Sequence, residues 1–142
     1  MIALIHVDIF VSDLARSIAF YTELFGARVV DRSEAGGDVA CYYSSGRSAR
    51  CSMAILKFSM VGAALELMQL EDTSGPPSPM QGSISFHVNN LDDFRRQLEE
   101  RGARIDSQVF HVTLQSGLSS RLFFLLDPDG NRLEFVESSA SG

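Results

Sequence analysis

The stretch Ile5-His6-Val7-Asp8-Ile9-Phe10-Val11 alternates without a break. Ile5, Val7, Ile9 and Val11 fall on one side, and His6, Asp8 and Phe10 on the other. A period of two marks a strand, because successive side chains point to opposite faces of a sheet. The β-branched side needs a dry partner such as a helix. The other side carries an imidazole and a carboxylate, which suit a face that lines something polar. After Ser12-Asp13, which supply an N-cap, the period changes. Leu14, Ile18, Tyr21 and Phe25 recur at helical spacing, and Gly26 stands where a left-handed residue would end the helix. The pattern predicts a helix over 14–25, lying on the apolar side of the sheet. Val29-Val30 open a further strand, which Gly36-Gly37 break. Residues 39–44 and 52–59 read as two more strands, joined by a Ser/Gly/Arg turn over 45–50. Residues 64–70 close a unit of βαβββ order.

The opening pattern has an echo. Seventy-seven residues on, Ser83-Ile84-Ser85-Phe86-His87-Val88 repeats both faces. Ile84, Phe86 and Val88 match the apolar side, and Ser83, Ser85 and His87 match the polar one. Gly26-Ala27-Arg28 finds its counterpart in Gly102-Ala103-Arg104, and Leu65-Glu66-Leu67 in Leu133-Glu134-Phe135. Such self-similarity means one unit used twice. In the second copy Asn90 caps a helix bearing Leu91, Phe94 and Leu98. Strands follow around 103–106, 109–115 and 121–126. Asp127-Pro128-Asp129-Gly130 fits a type I turn, and Arg132–Glu137 is the closing strand. The expected organisation is a first module over 1–70, a linker over 71–82 holding three of the four prolines, and a second module over 83–142. One short helix cannot cover both faces of a four-stranded sheet. The expected fold is therefore α+β: two tandem βαβββ modules with helices outside, forming a curved mixed sheet around a cleft. Onto that cleft His6, Asp8 and Phe10 would point, with Met68, Ser83, Ser85 and His87.

A glutamate in mid-strand between apolar neighbours is unusual. Burying a lone carboxylate is costly, so such groups are normally paired or coordinate a metal. The repeat sets Glu66 and Glu134 in equivalent positions, and likewise His6 and Ser83. One imidazole, two carboxylates and a hydroxyl about a pseudo-twofold axis suit a divalent first-row metal with open water positions.

Composition narrows the partners. The chain has 142 residues, 45% of them apolar, which is enough for a core without staples. A net charge of −6 argues against nucleic acid and anionic membrane. No apolar run approaches the ~18 residues of a membrane span. The start of the chain has neither a basic n-region nor a cleavage site, so the cytoplasm is the expected compartment. Cys41 and Cys51 lack metal-type spacing and read as two buried thiols in strands.

The run His6-Val7-x-Ile9-x-Val11-x-x-Leu14, followed by Ser17-x-x-Phe20-Tyr21-x-x-x-Phe25-Gly26, resembles the opening of the vicinal oxygen chelate superfamily. Leu65-Glu66-Leu67 and Asp127-Pro128-Asp129-Gly130-Asn131-x-Leu133-Glu134 resemble its later signatures. The superfamily includes glyoxalase I, methylmalonyl-CoA epimerase, extradiol dioxygenases, fosfomycin-resistance enzymes and bleomycin-binding proteins. The resemblance implies ligand positions at His6, Glu66, Ser83 and Glu134. Serine stands at 83 where the metal-dependent members have histidine. His87 is no simple substitute, since it lies roughly 13 Å further along at ~3.3 Å per residue.

What the resemblance implies is a metal-dependent lyase or isomerase of glyoxalase or epimerase type. A Ni, Zn, Mn or Fe(II) ion would be held by His6, Glu66 and Glu134. Glu134 or Glu66 would be the base that removes a proton from a small carbonyl substrate. The alternatives are a metal-free protein that sequesters a small molecule, as bleomycin-binding members do, and a specialised-metabolite enzyme using the cleft without metal. Dioxygenase chemistry would need a second histidine. The linker permits modules to pair within one chain or between two, and a symmetric homodimer is expected.

Overall fold

The computed structural model describes residues 4–36, 38–47, 50–71 and 76–139. They divide into two units, Met1–Ser78 and Pro79–Gly142. The first contains β1 (His6–Phe10), α1 (Leu14–Phe25), β2 (Arg28–Gly36), α2 (Asp38–Ser44), β3 (Arg50–Lys57) and β4 (Ala64–Leu70). Its sheet runs β1-β4-β3-β2. β1 lies parallel to β4, and the other neighbours are antiparallel.

Helix α1 begins where Asp13 Oδ1 accepts the Arg16 N–H at 3.0 Å. It ends at Gly26, whose φ of 67° is a left-handed conformation that glycine adopts without strain. Leu14 N donates to Gln69 Oε1 at 2.8 Å, and the Tyr21 ring meets Phe58 edge-on at 6.3 Å. Both contacts put α1 on the side of the sheet that carries Leu65, Leu67, Ala54 and Leu56, all buried. Burying each of the leucines contributes roughly 1.5–3 kcal/mol. Ile5 was expected on this dry face, but it precedes β1 and is exposed.

The opposite face corrects the sequence reading. Residues 39–44 are not a strand but most of α2. Val and Tyr favour strands, yet Ala40 and Ser44, four apart, are both fully buried, as one side of a helix would have them. Ala40 joins Cys51 and Met68 in a buried cluster, with Phe10, Met53 and Leu70 around it. With 39–44 helical, the described residues of the first unit form four strands, the number in a βαβββ unit. Cys51 is buried in β3 as expected, whereas Cys41 is exposed on α2. Of the expected breaks and turns, Gly37 and residues 48 and 49 lie outside the described residues.

The second unit contains β5 (Ser83–His87), α3 (Leu91–Glu100), β6 (Arg104–Ile105), β7 (Phe110–Thr113), β8 (Ser119–Leu126) and β9 (Arg132–Ser139). The sheet runs β5-β9-β8-β6, with β7 also on β8. β6 and β7 pair with different ends of β8 and act as one interrupted strand. At the interruption Ser107 Oγ accepts the Phe124 N–H at 2.9 Å. Asn90 caps α3, and Phe94 packs its ring 4.9 Å from Phe135, on the face opposite Glu134. His111 sits on β7, within the strand expected around 109–115. The end of the expected linker is tied to this unit: Met80 N donates to Asn131 Oδ1 and Arg132 Nη1 to the Gln81 carbonyl, both at 3.0 Å. Residues 72–75 lie outside the described residues. No described helix is long and apolar enough to cross a membrane.

Candidate metal centre

The parallel pairing of β1 with β4 sets His6 opposite Ala64, Asp8 opposite Glu66 and Phe10 opposite Met68. In a sheet such partners share a face, so three polar side chains converge. His6 Nε2 lies 2.9 Å from Glu66 Oε2 and 3.1 Å from Asp8 Oδ1. The three donor atoms are all within 4.8 Å of one another. Glu66 is only 8% exposed, while His6 and Asp8 are half-buried. Asp8 Oδ1 is itself buried and has no hydrogen-bond partner, although His6 Nε2 lies 3.1 Å away.

The charges of the site favour a cation. Burial raises the Glu66 carboxyl above the ordinary carboxylate range, and the adjacent Asp8 carboxylate raises it further, while His6 opposes both. Two carboxylates this close need positive charge between them, from a proton or from a cation. Donors held at ~2.1 Å and at right angles about a first-row ion are roughly 3 Å apart. The spacings of Nε2 from the two carboxylate oxygens fit that requirement. The donor set, one imidazole with two carboxylates, fits a divalent ion with further positions for water or substrate.

Helix α2 adds a residue that the strand reading of 39–44 left without a role. Tyr43 donates its hydroxyl to Asp8 Oδ2 at 3.0 Å, and its ring meets Phe10 edge-on at 5.2 Å. That bond and the nearby carboxylates raise the Tyr43 hydroxyl above its usual pKa, so it keeps its proton and remains a donor. The signal was present in the spacing of Ala40, Tyr43 and Ser44, three positions that share a helix side.

Ser83, Ser85, His87 and Glu134 lie in the second unit, where the register is the same. Ser83 stands opposite Arg132, Ser85 opposite Glu134 and His87 opposite Val136. Ser85 Oγ donates to Glu134 Oε1 at 3.0 Å. The position of Asp8 beside Glu66 is therefore that of Ser85 beside Glu134. Glu134 is half-buried and His87 exposed. Met68, expected to line a cleft, is buried in the cluster that Ala40 of α2 joins.

A family model for the glyoxalase/bleomycin resistance protein/dioxygenase superfamily matches residues 3–135. Lactoylglutathione lyase of Salmonella typhimurium is 28% identical, over 98% of this chain and 95% of its own length. Lactoylglutathione lyase of Schizosaccharomyces pombe is also 28% identical, and the chain spans about half of it, 47%. Among solved structures, a trypanothione-dependent glyoxalase I of Leishmania major superposes with a TM-score of 0.68 at 26% identity, covering 96% of this chain and 87% of that one. A glyoxalase family protein of Bacillus cereus gives 0.73 at 21% identity, covering 97% and 95%, and so shares the fold.

Proposed function

The chain belongs to the glyoxalase/bleomycin resistance protein/dioxygenase superfamily, and on that premise we propose that it is a metal-dependent lyase or isomerase acting on a small carbonyl compound. The observation that carries this reading is the contact of His6 with the buried Glu66 at 2.9 Å, at two positions where the family pattern has ligands. His6 and Glu66 would hold a Ni, Zn, Mn or Fe(II) ion. Such an ion, when bound, polarises the oxygens of a carbonyl substrate.

The chain's own groups supply the proton chemistry. Glu66, a buried carboxylate beside His6, is the base in this reading. It is suited to take a proton from the carbon beside a carbonyl and return it to the neighbouring position. The lactoylglutathione lyases among the relatives support a thiol adduct of a 2-oxoaldehyde as the first substrate to try. We extend the proposal to a homodimer, supported by Phe110 and Val112, which stand exposed on β7.

The test is metal analysis of protein purified without chelators, together with turnover of the glutathione adduct of a 2-oxoaldehyde in added Ni, Zn, Mn or Fe(II). One ion per chain and turnover are expected, with both lost in His6→Ala. A wild-type chain that takes up no divalent ion would leave a metal-free binding protein as the reading.

A further inference from the structure

Beside His6 and Glu66, the first unit holds a third donor for which the family pattern has no ligand position. Asp8 sits directly across the β1–β4 pair from Glu66, with Oδ1 3.1 Å from His6 Nε2. That oxygen is buried and without a hydrogen bond, whereas its partner Oδ2 is engaged by Tyr43 at 3.0 Å. One carboxylate oxygen is thus fixed from outside, and the other is directed at the imidazole and at Glu66. Ser83, where metal-dependent relatives have histidine, offers only a hydroxyl.

We propose that Asp8 is a metal ligand in this chain, that His6, Asp8 and Glu66 form a three-donor centre within the first unit, and that Tyr43 is the residue that positions Asp8. This rests on the metal-dependent reading of the site. Several observations lead to it. The donor set of one imidazole and two carboxylates balances a divalent ion to net neutrality, which His6 and Glu66 alone would not. The second unit places Ser85 at the position equivalent to Asp8 and Ser83 at that equivalent to His6, so it has kept only one of the three donors, Glu134. Tyr43 comes from α2, and the second unit has no counterpart of α2 among its described residues. Ligands in metal sites are commonly oriented by an outer hydrogen bond, and loss of that bond costs affinity. The Tyr43 hydroxyl holds Asp8 in this way, while its ring rests against Phe10.

The experiment titrates chelator-stripped full-length protein with NiCl2 by calorimetry and follows Co2+ uptake by its visible absorption. Wild type should bind one ion per chain. Asp8→Asn should weaken binding at least tenfold and change the Co2+ spectrum. Tyr43→Phe, which keeps the ring and removes the hydroxyl, should weaken it about three- to tenfold. Glu134→Gln should stay within twofold of wild type. Melting in EDTA separates ligation from folding, since Tyr43→Phe should melt with wild type there. If Asp8→Asn binds nickel like wild type with an unchanged Co2+ spectrum, Asp8 is no ligand and the proposal falls, while the metal reading stands. A loss in Glu134→Gln as large as in His6→Ala also overturns it, because the centre would then need the second unit. Wild-type affinity in Tyr43→Phe removes the positioning role. A wild-type chain that binds neither ion overturns the metal reading and the proposal together.

Discussion

Asp8 and Glu66 are partners across the parallel β1–β4 pair, so the register of the sheet sets two carboxylates side by side. In the second unit the same register sets Ser85 beside Glu134, a hydroxyl donating to a carboxylate at 3.0 Å. The two copies have therefore solved one problem differently. The second satisfies its glutamate with a neutral donor. The first leaves its glutamate short of positive charge, with one imidazole between two acids.

That shortage has a pH signature. The folded chain holds the Glu66 proton more tightly than the unfolded chain, because burial and Asp8 both disfavour the charge. The stabilisation is complete below the ordinary glutamate value of about 4.3 and is lost as pH rises through the raised folded value. In a chelator, Glu66→Gln should melt close to wild type near about pH 4 and above it near about pH 7. Paired melts across this range check the sign. A gap that is constant with pH, or that favours wild type at neutral pH, would contradict the account.

The turn after β8 should be a point of stability independent of the metal. Asp127 is fully buried and accepts from Asp129 N at 2.9 Å, Asn131 N at 2.8 Å and Asn131 Nδ2 at 3.0 Å. Removing the carboxylate strands donors away from water. Asp127→Ala should cost about 2–4 kcal/mol, read as a lower urea midpoint. Asp127→Asn keeps one acceptor oxygen and should lose less. A cost within ~0.5 kcal/mol for the alanine variant, the range of an ordinary surface site, would show that the turn holds itself.

Much of this was legible in the sequence, and what was not has physical reasons. The alternation of β1, the cap and glycine around α1, and the repeat of Glu66 in Glu134 are local patterns, so they can be read without tertiary contacts. Residues 39–44 defeat such reading, because Val39, Tyr42 and Tyr43 have strand propensity while Ala40 and Ser44 are buried, Ala40 with Cys51 and Met68 of the sheet. Packing overrode propensity there. With α2 unread, Tyr43 had no role. Asp8 was readable as a residue on the polar side of β1. Its approach to Glu66 depends on the β1–β4 register, which no single strand reveals.

The proposed homodimer can be checked on the second unit. Phe110 and Val112 share a side of β7 and are 39% and 40% exposed. Apolar side chains left in water on one strand are candidates for burial by a second copy. Light scattering should give about twice the 15.6 kDa chain mass. Phe110→Ser with Val112→Ser should shift the equilibrium towards monomer by at least tenfold in Kd, on the order of 1.4 kcal/mol. A wild-type monomer at high concentration would end this proposal, and an unaltered dimer in the double variant would move the interface elsewhere.

The two cysteines test where α2 lies. Cys41 is exposed on α2, and Cys51 on β3 is 1% exposed in the cluster that Ala40 joins. Burial and the Glu66 carboxylate both raise the Cys51 thiol, which reduces its reactive thiolate. Titration with a disulfide reagent at mildly alkaline pH should therefore find one fast thiol per chain and a second only on unfolding. Cys41→Ser should abolish the fast phase, and Cys51→Ser should leave it intact. Were 39–44 a strand, Cys51 would lose the cover that Ala40 provides and would react at a rate comparable with Cys41. Two fast thiols in native protein would thus argue against α2 on this face, and against Tyr43 as the partner of Asp8.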